Sequence, residues 1–125
     1  WIVLGPGSWR TSVLPHLLLD AQREAIIRTE ARRCVVMNLS DDKETVGFTP
    51  ATHLELLRQY ASKLHLDAVI ADADMQADHR AELEREAASM GAKVVWAHLR
   101  SSTRPDVHDP LKLASAYNET FELSA

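Results

Sequence analysis

Four short apolar runs divide the chain, and each gives way to a stretch with helical periodicity. Trp1–Leu4, Cys34–Met37, Ala68–Ala71 and Val94–Ala97 are continuous apolar segments without polar alternation. Runs of this kind fit strands covered on both faces. Between them, apolar positions recur every three or four residues. Asp20 stands as the N-cap of a helix reaching about Glu30, with Leu18, Ala21 and Ala25 directed at the sheet. Thr49-Pro50 is a helix start, a capping hydroxyl followed by Pro at the first helical position, and Leu54, Leu57, Ala61 and Leu64 mark the apolar face. A charged helix over Ala77–Met90 buries Leu83, Ala87 and Met90 and stops at Gly91. Asp109-Pro110 opens a last helix that buries Ala114, Tyr117 and Phe121.

Strand and helix alternate four times, which predicts an α/β fold with a parallel sheet, helices packed on it and right-handed crossovers. Ligands of such sheets bind beyond the carboxyl ends of the strands, where strand order reverses. The eligible loops are therefore Gly5–Ser12, Asn38–Phe48, Asp72–Asp78 and His98–His108. Residues 1–125 read as one domain. The chain opens inside what reads as a central strand, so the domain is expected to be the C-terminal portion of a longer protein. A first strand with an unpaired edge invites pairing with another chain, so a homo-oligomer is expected.

Composition narrows the function classes. A net charge of −4 argues against broad nucleic-acid binding but leaves room for a local basic pocket. Cys34 is the single cysteine, which excludes an intrachain disulfide and disfavours a Cys-based metal site. Its place in an apolar run suits a small buried filler. No apolar run approaches the 18 or so residues of a membrane span, and there is no signal-peptide pattern, so a cytoplasmic location is expected.

The candidate chemistry gathers in the first two eligible loops. Gly5, Pro6, Gly7 and Ser8 break the first apolar run, and Thr11 and Ser12 add hydroxyls. Gly5 and Gly7 permit backbone geometry closed to other residues, and successive N–H groups of Gly7 and Ser8 can converge into an anion-binding concavity. The other reading is a tight strand-to-helix turn without a ligand. Asn38, at the end of the second strand, either lines a ligand or braces a neighbouring loop. Glu44 is a general base, a sugar-hydroxyl partner or a solvated charge; Phe48 stacks on a ring or staples the next helix. His53, in the first turn of that helix, binds ligand or braces the loop; the helix dipole favours its neutral form.

Asp72, Asp74, Asp78 and His79 resemble a metal cluster in composition, but Asp between a strand and a helix is ordinary capping, and no metal site is assigned. His98, Arg100 and Arg104 offer positive charge for a phosphate or are plain surface residues. No Ser-His-Asp order and no nucleophile elbow is present, so no catalytic residue is assigned.

These motifs resemble a known family. Leu4-Gly5-Pro6-Gly7-Ser8 with Thr11-Ser12 and Pro15-His16, then Asn38-Leu39, Glu44-Thr45, Gly47-Phe48 and His53, and finally His108-Asp109-Pro110, are similar to the motifs of the 2-phospho-L-lactate transferase superfamily, within it the bacterial gluconeogenesis-factor branch. The resemblance runs over nearly the whole chain. It implies a Rossmann-like nucleotide-binding fold and a ligand-binding set of Gly5, Pro6, Gly7, Ser8, Thr11, Ser12, Asn38, Glu44, Thr45, Gly47, Phe48 and His53. It also implies a nucleotide-sugar-binding regulator of carbon metabolism, cell-wall synthesis and cell shape. The alternative is a transferase of phosphorus-containing groups acting on a nucleotide-activated donor, for which Mg2+ is the expected cofactor. A third reading is an interaction domain that binds no ligand.

Overall fold

The four apolar runs pair as one parallel sheet in the order β1-β2-β3-β4. The strands are β1 (Ile2–Leu4), β2 (Arg33–Val36), β3 (Ala68–Asp72) and β4 (Lys93–Ala97). In register, Val3 lies opposite Cys34, Cys34 opposite Ala68 and Ala68 opposite Lys93. The computed structural model describes residues 1–39 and 49–122. Every residue of β2 and β3 is buried, as the unbroken apolar runs demanded.

The helices are α1 (Pro15–Leu18), α2 (Asp20–Arg28), α3 (Pro50–Tyr60), α4 (Ala77–Ser89) and α5 (Pro110–Glu122). A wide π-type turn, Trp9–Val13, joins β1 to α1. Side chains alternate across the sheet with period two. Val35, Val69 and Ala71 pack in one core with Leu17, Ile26, Leu54, Leu57, Leu83 and Ala87 from α1 to α4. Cys34, Val36, Ala68, Ile70 and Val95 pack in a second core with Leu99 and Ala116 of α5. Helices that link strands laid down in sequential order fall on one face when every crossover has the same hand. The segment after β4 instead passes over the carboxyl edge to reach the other face. Among the described strands the order never reverses, so the crevice expected at a reversal point has another origin, given below.

Several elements match the sequence pattern residue by residue. The Thr49 hydroxyl caps α3 by accepting from the Thr52 N–H at 3.2 Å. Leu54, Leu57, Ala61 and Leu64 are all buried, as are Leu83, Ala87 and Met90. Gly91 closes α4 with φ +87°. Asp109 Oδ1 accepts from the N–H groups of Leu111 and Lys112 at the start of α5. Burial pushes the Cys34 thiol up to about 11, which suits an inert filler.

Two helices present a different face from the one expected. Leu18, Ala21 and Ala25 are exposed, and Leu17 and Ile26 are buried instead. Pro15 starts a helix one turn early, and Leu19, at φ −86° and ψ 120°, breaks it, so the residues on either side belong to two helices of different phase. Asp20 is the first residue of α2 rather than its cap, and it receives Arg23 Nη2 at 2.7 Å. On α5, Ala114 and Phe121 are exposed, Tyr117 is half-buried and Ala116 and Thr120 are buried. Thr120 tolerates burial because its hydroxyl donates to the Ala116 carbonyl at 2.7 Å. Phe121 sits at the rim, 5.1 Å from the ring of Trp1 and 5.8 Å from that of Tyr117.

Arg33 extends β2 one residue beyond the apolar run and is buried. Its guanidinium reaches the carbonyls of Ile26 at 2.6 Å and of Ile27 and Thr29 at 2.7 Å, which satisfies the carboxyl end of α2 with a cation of the sign that end prefers.

Candidate functional site

The loop after β1 is held from beneath by one side chain. Asn38 Oδ1 accepts from the Gly7 N–H at 3.1 Å, and Asn38 Nδ2 donates to the Gly7 carbonyl at 3.0 Å. Of the two roles open to Asn38, bracing is therefore realised. Asn38 also lines two clefts, so the two roles coexist. The Gly7 N–H expected to face an anion is taken up by this brace. Gly5 has φ +83° and lies so close to β2 that an ideal Cβ would sit 2.8 Å from the Val36 carbonyl oxygen. Gly7 has φ +149°, and its Cβ would meet the Ser12 side chain at 2.9 Å. Thr11 and Ser12 are exposed on the wide turn.

β1 and β2 are parallel neighbours, so the loops after them leave at one edge, as their connection by helices implied. Two clefts open there and share Asn38 and Leu39 as a common wall. The first, of about 430 Å³, lies between the tips of β2 and β3 and the starts of α3 and α4. Its other walls include His53, Asp72, Asp74, Gln76, His79 and Arg100. The second, of about 460 Å³, lies between the loop after β1 and the segment before α5, against Pro6, Gly7, Ser8, Asp106, Val107 and His108. His53 is buried and stacks on the buried Trp9 ring at 5.3 Å, which ties the start of α3 to the loop after β1.

The floor of the first cleft is an ionic brace. Asp72 is buried at the tip of β3; its Oδ1 accepts from the Leu99 N–H at 3.1 Å and its Oδ2 from Arg100 Nε at 2.9 Å. Arg100 also donates to the carbonyls of Leu39 and Pro105, both at 2.8 Å. One guanidinium thus joins the ends of β2 and β3 to the loop that crosses the edge. Both Asp72 oxygens have partners within the fold, and among the described residues no group of three His, Cys, Asp or Glu is arranged to hold a metal.

His108 completes the crossing. It bonds to the Met37 backbone, while its Nε2 is buried without a hydrogen-bond partner among the described residues. Burial pushes His108 below its ordinary 6.5, helped by the Arg100 charge and opposed by the Met37 bond and Asp72. Below 6.5 the unfolded chain then binds the proton first. The stability supplied by neutral His108 is complete above that value and is lost as pH falls through the lower folded value. Wild-type stability in urea should decline between pH 7.5 and pH 5.5 more steeply than that of His108→Phe. Parallel declines would refute the assignment.

The comparisons with known proteins bear on this edge. The model of the 2-phospho-L-lactate transferase CofD family matches residues 1–106. The chain belongs to the CofD family. Its relatives include the gluconeogenesis factor of Bacillus subtilis, 30% identical over 91% of this chain and 40% of that protein. Proteins of Mycobacterium tuberculosis and Mycobacterium leprae that carry the same designation provisionally are 40% and 42% identical, over 91% and 92% of this chain. This chain spans about a third of the length of those two relatives, 34% and 33%. A crystal structure of a UPF0052-family protein from Bacillus halodurans superimposes with a TM-score of 0.72 at 27% identity, over 92% of this chain and 41% of that one. The Rossmann-like parallel sheet and the gluconeogenesis-factor branch are thus those the motifs implied.

Within this CofD-family chain, the structure brings together Gly5, Pro6, Gly7, Ser8, Asn38 and His53 at one edge. Glu44, Thr45, Gly47 and Phe48 lie outside the described residues. Asp74 stands 3.8 Å from the exposed His98, and Arg104 is exposed. The residues that pattern reading passed over are Trp9, Gln76, Asp106 and His108. Only His108 had a visible signal, its place in His-Asp-Pro. Arg100 and Asp72 were visible as charges, but their pairing was not.

Proposed function

We propose that this chain forms part of a nucleotide-sugar-binding regulatory protein of the gluconeogenesis-factor type, acting on carbon metabolism, cell-wall synthesis and cell shape. The observation that carries the reading is the pair of clefts at the carboxyl edge of the sheet that share Asn38 and Leu39 as a wall. A nucleotide sugar is a ligand in several parts, and two clefts with a common wall suit it better than one. The membership of the CofD family and the names of its relatives support the same reading. The ligand-binding set proposed is Gly5, Pro6, Gly7, Ser8, Thr11, Ser12, Asn38, Glu44, Thr45, Gly47, Phe48 and His53.

The test is calorimetric titration of the complete protein with UDP-glucose, UDP-N-acetylglucosamine and UDP, beside incubation with a nucleotide-activated phospholactyl donor and a deazaflavin. Saturable binding of a UDP-sugar without product is the expected result. Product formation would replace the regulatory reading with the transferase one. No binding of any nucleotide would leave an interaction domain. Asn38→Ala should weaken binding about tenfold or more by releasing the loop after β1; unchanged affinity in that variant would overturn the role of the shared wall.

A further inference from the structure

The two edges of the sheet are finished differently. At the β4 edge Lys93 is exposed, the Arg80 guanidinium lies 4.2 Å over the Trp96 ring, and Trp96 Nε1 donates to Glu84 at 2.8 Å. Charge at an edge discourages further pairing. The β1 edge has no such guard: its residues are Ile2, Val3 and Leu4, preceded by Trp1. The Ile2 N–H donates to the Arg32 carbonyl at 2.7 Å, on the β2 side. Backbone groups of successive strand residues turn to opposite sides, so the N–H and carbonyl of Val3 point away from the sheet.

The two faces beside this edge are equally unlike. Leu4 is buried on the face that carries α1 to α4. Val3 lies on the other face with Cys34, its register partner. There α5 packs over β3 and β4 and reaches β1 at its last turn, where the Phe121 ring lies 5.1 Å from that of Trp1. Trp1 and Val3 are each 37% exposed and Phe121 38%. Through Tyr117, which stacks on Phe121, this apolar surface is continuous with the second core.

Crossovers of one hand place their helices on one face when strand order advances one way, and on the opposite face when it advances the other way. From β1 to β4 the helices fall on the Leu4 face. Strands advancing outward from β1 therefore bring their helices to the α5 face, where the bare apolar surface lies. The relatives carry well over half of their length outside the part that this chain matches, ample for such a unit. We propose that in the complete protein the sheet continues past β1. A strand from outside residues 1–125 of the same polypeptide pairs with Val3, and the helix that follows it covers Trp1, Val3 and Phe121 beside α5. Strand order then reverses at β1. The inference goes beyond the nucleotide-sugar reading and does not depend on the ligand.

The test uses the complete protein. Hydrogen exchange reads the Val3 amide, and a photoreactive benzoylphenylalanine in place of Phe121 marks its neighbour for mass spectrometry. Expected are a Val3 amide slowed about a hundredfold or more relative to an unstructured peptide, at every protein concentration, and a cross-link to a segment outside residues 1–125 in a species of monomer mass. Val3→Lys should lower the thermal midpoint by about 4 °C or more. Leu111→Lys, at a position 83% exposed, should leave it unchanged within about 2 °C. A Val3 amide exchanging at the peptide rate, or cross-links confined to residues 1–125, would overturn the proposal. Protection that disappears on dilution, with cross-links joining two copies, would give the edge to a dimer and overturn it as well. Equal midpoints for the two lysine variants would leave Val3 open to water and do the same.

Discussion

Replacing Asp72 by alanine should destabilise the protein by about 2–4 kcal/mol, because a buried carboxylate is lost from the Leu99 N–H and from Arg100, whose side chain is a third exposed and regains some water. Asp72 is 3% exposed, and its two oxygens receive the Leu99 N–H and Arg100 Nε. Alanine would leave a buried N–H and a guanidinium with no counter-charge at the junction of β3 and the edge-crossing segment. The damage should spread to Leu39 and Pro105, whose carbonyls Arg100 also holds. Asp72→Asn keeps an oxygen for Leu99 while losing the charge, so its loss should be smaller, about 1–3 kcal/mol. Urea denaturation of the three proteins checks the order. A loss below about 1 kcal/mol in the alanine variant would mean that the brace is not what assembles this edge.

Gly5→Ala should be the most damaging glycine substitution in the first loop. A side chain at φ +83° costs about 1–2 kcal/mol through backbone handedness alone. The added Cβ would also press on the Val36 carbonyl oxygen at 2.8 Å, and that atom belongs to a strand paired on both sides, so it has nowhere to move. Gly91→Ala is the matched control. It shares the left-handed backbone, at φ +87°, but its Cβ would meet the His65 ring, an exposed side chain able to swing aside. Thermal unfolding should therefore show the larger fall for Gly5→Ala. Equal falls would show that the close approach of the first loop to β2 carries no energy of its own.

The strand-helix alternation was legible because period is a local property. A continuous apolar run reads as a doubly covered strand, and Thr49-Pro50, Asp109-Pro110 and Gly91 punctuate the helices through the chemistry of one or two residues. The wrong faces on α2 and α5 trace to features that periodicity does not carry. A one-residue break at Leu19 resets the phase of a helix, and a hydroxyl bonded to its own helix lets Thr120 go where only apolar residues were expected.

The sequence by itself determined the fold class, the family, the edge at which the loops gather and the identity of the Gly-Pro-Gly-Ser loop as a special turn. All of these follow from neighbours in the chain or from motifs whose members lie close together. Only the tertiary structure decided what the special residues do. Asn38 is thirty-one positions from Gly7 and Arg100 is sixty-one from Leu39, and hydrogen bonds of such span leave no periodic trace. Whether an amide faces a ligand or a backbone, and whether a histidine is a charged surface group or a partly buried neutral one, depends on what the fold packs against it. At this edge, the segment that crosses from β4 to α5 supplies those neighbours, because it carries Arg100 and His108 over the ends of strands formed far earlier in the chain.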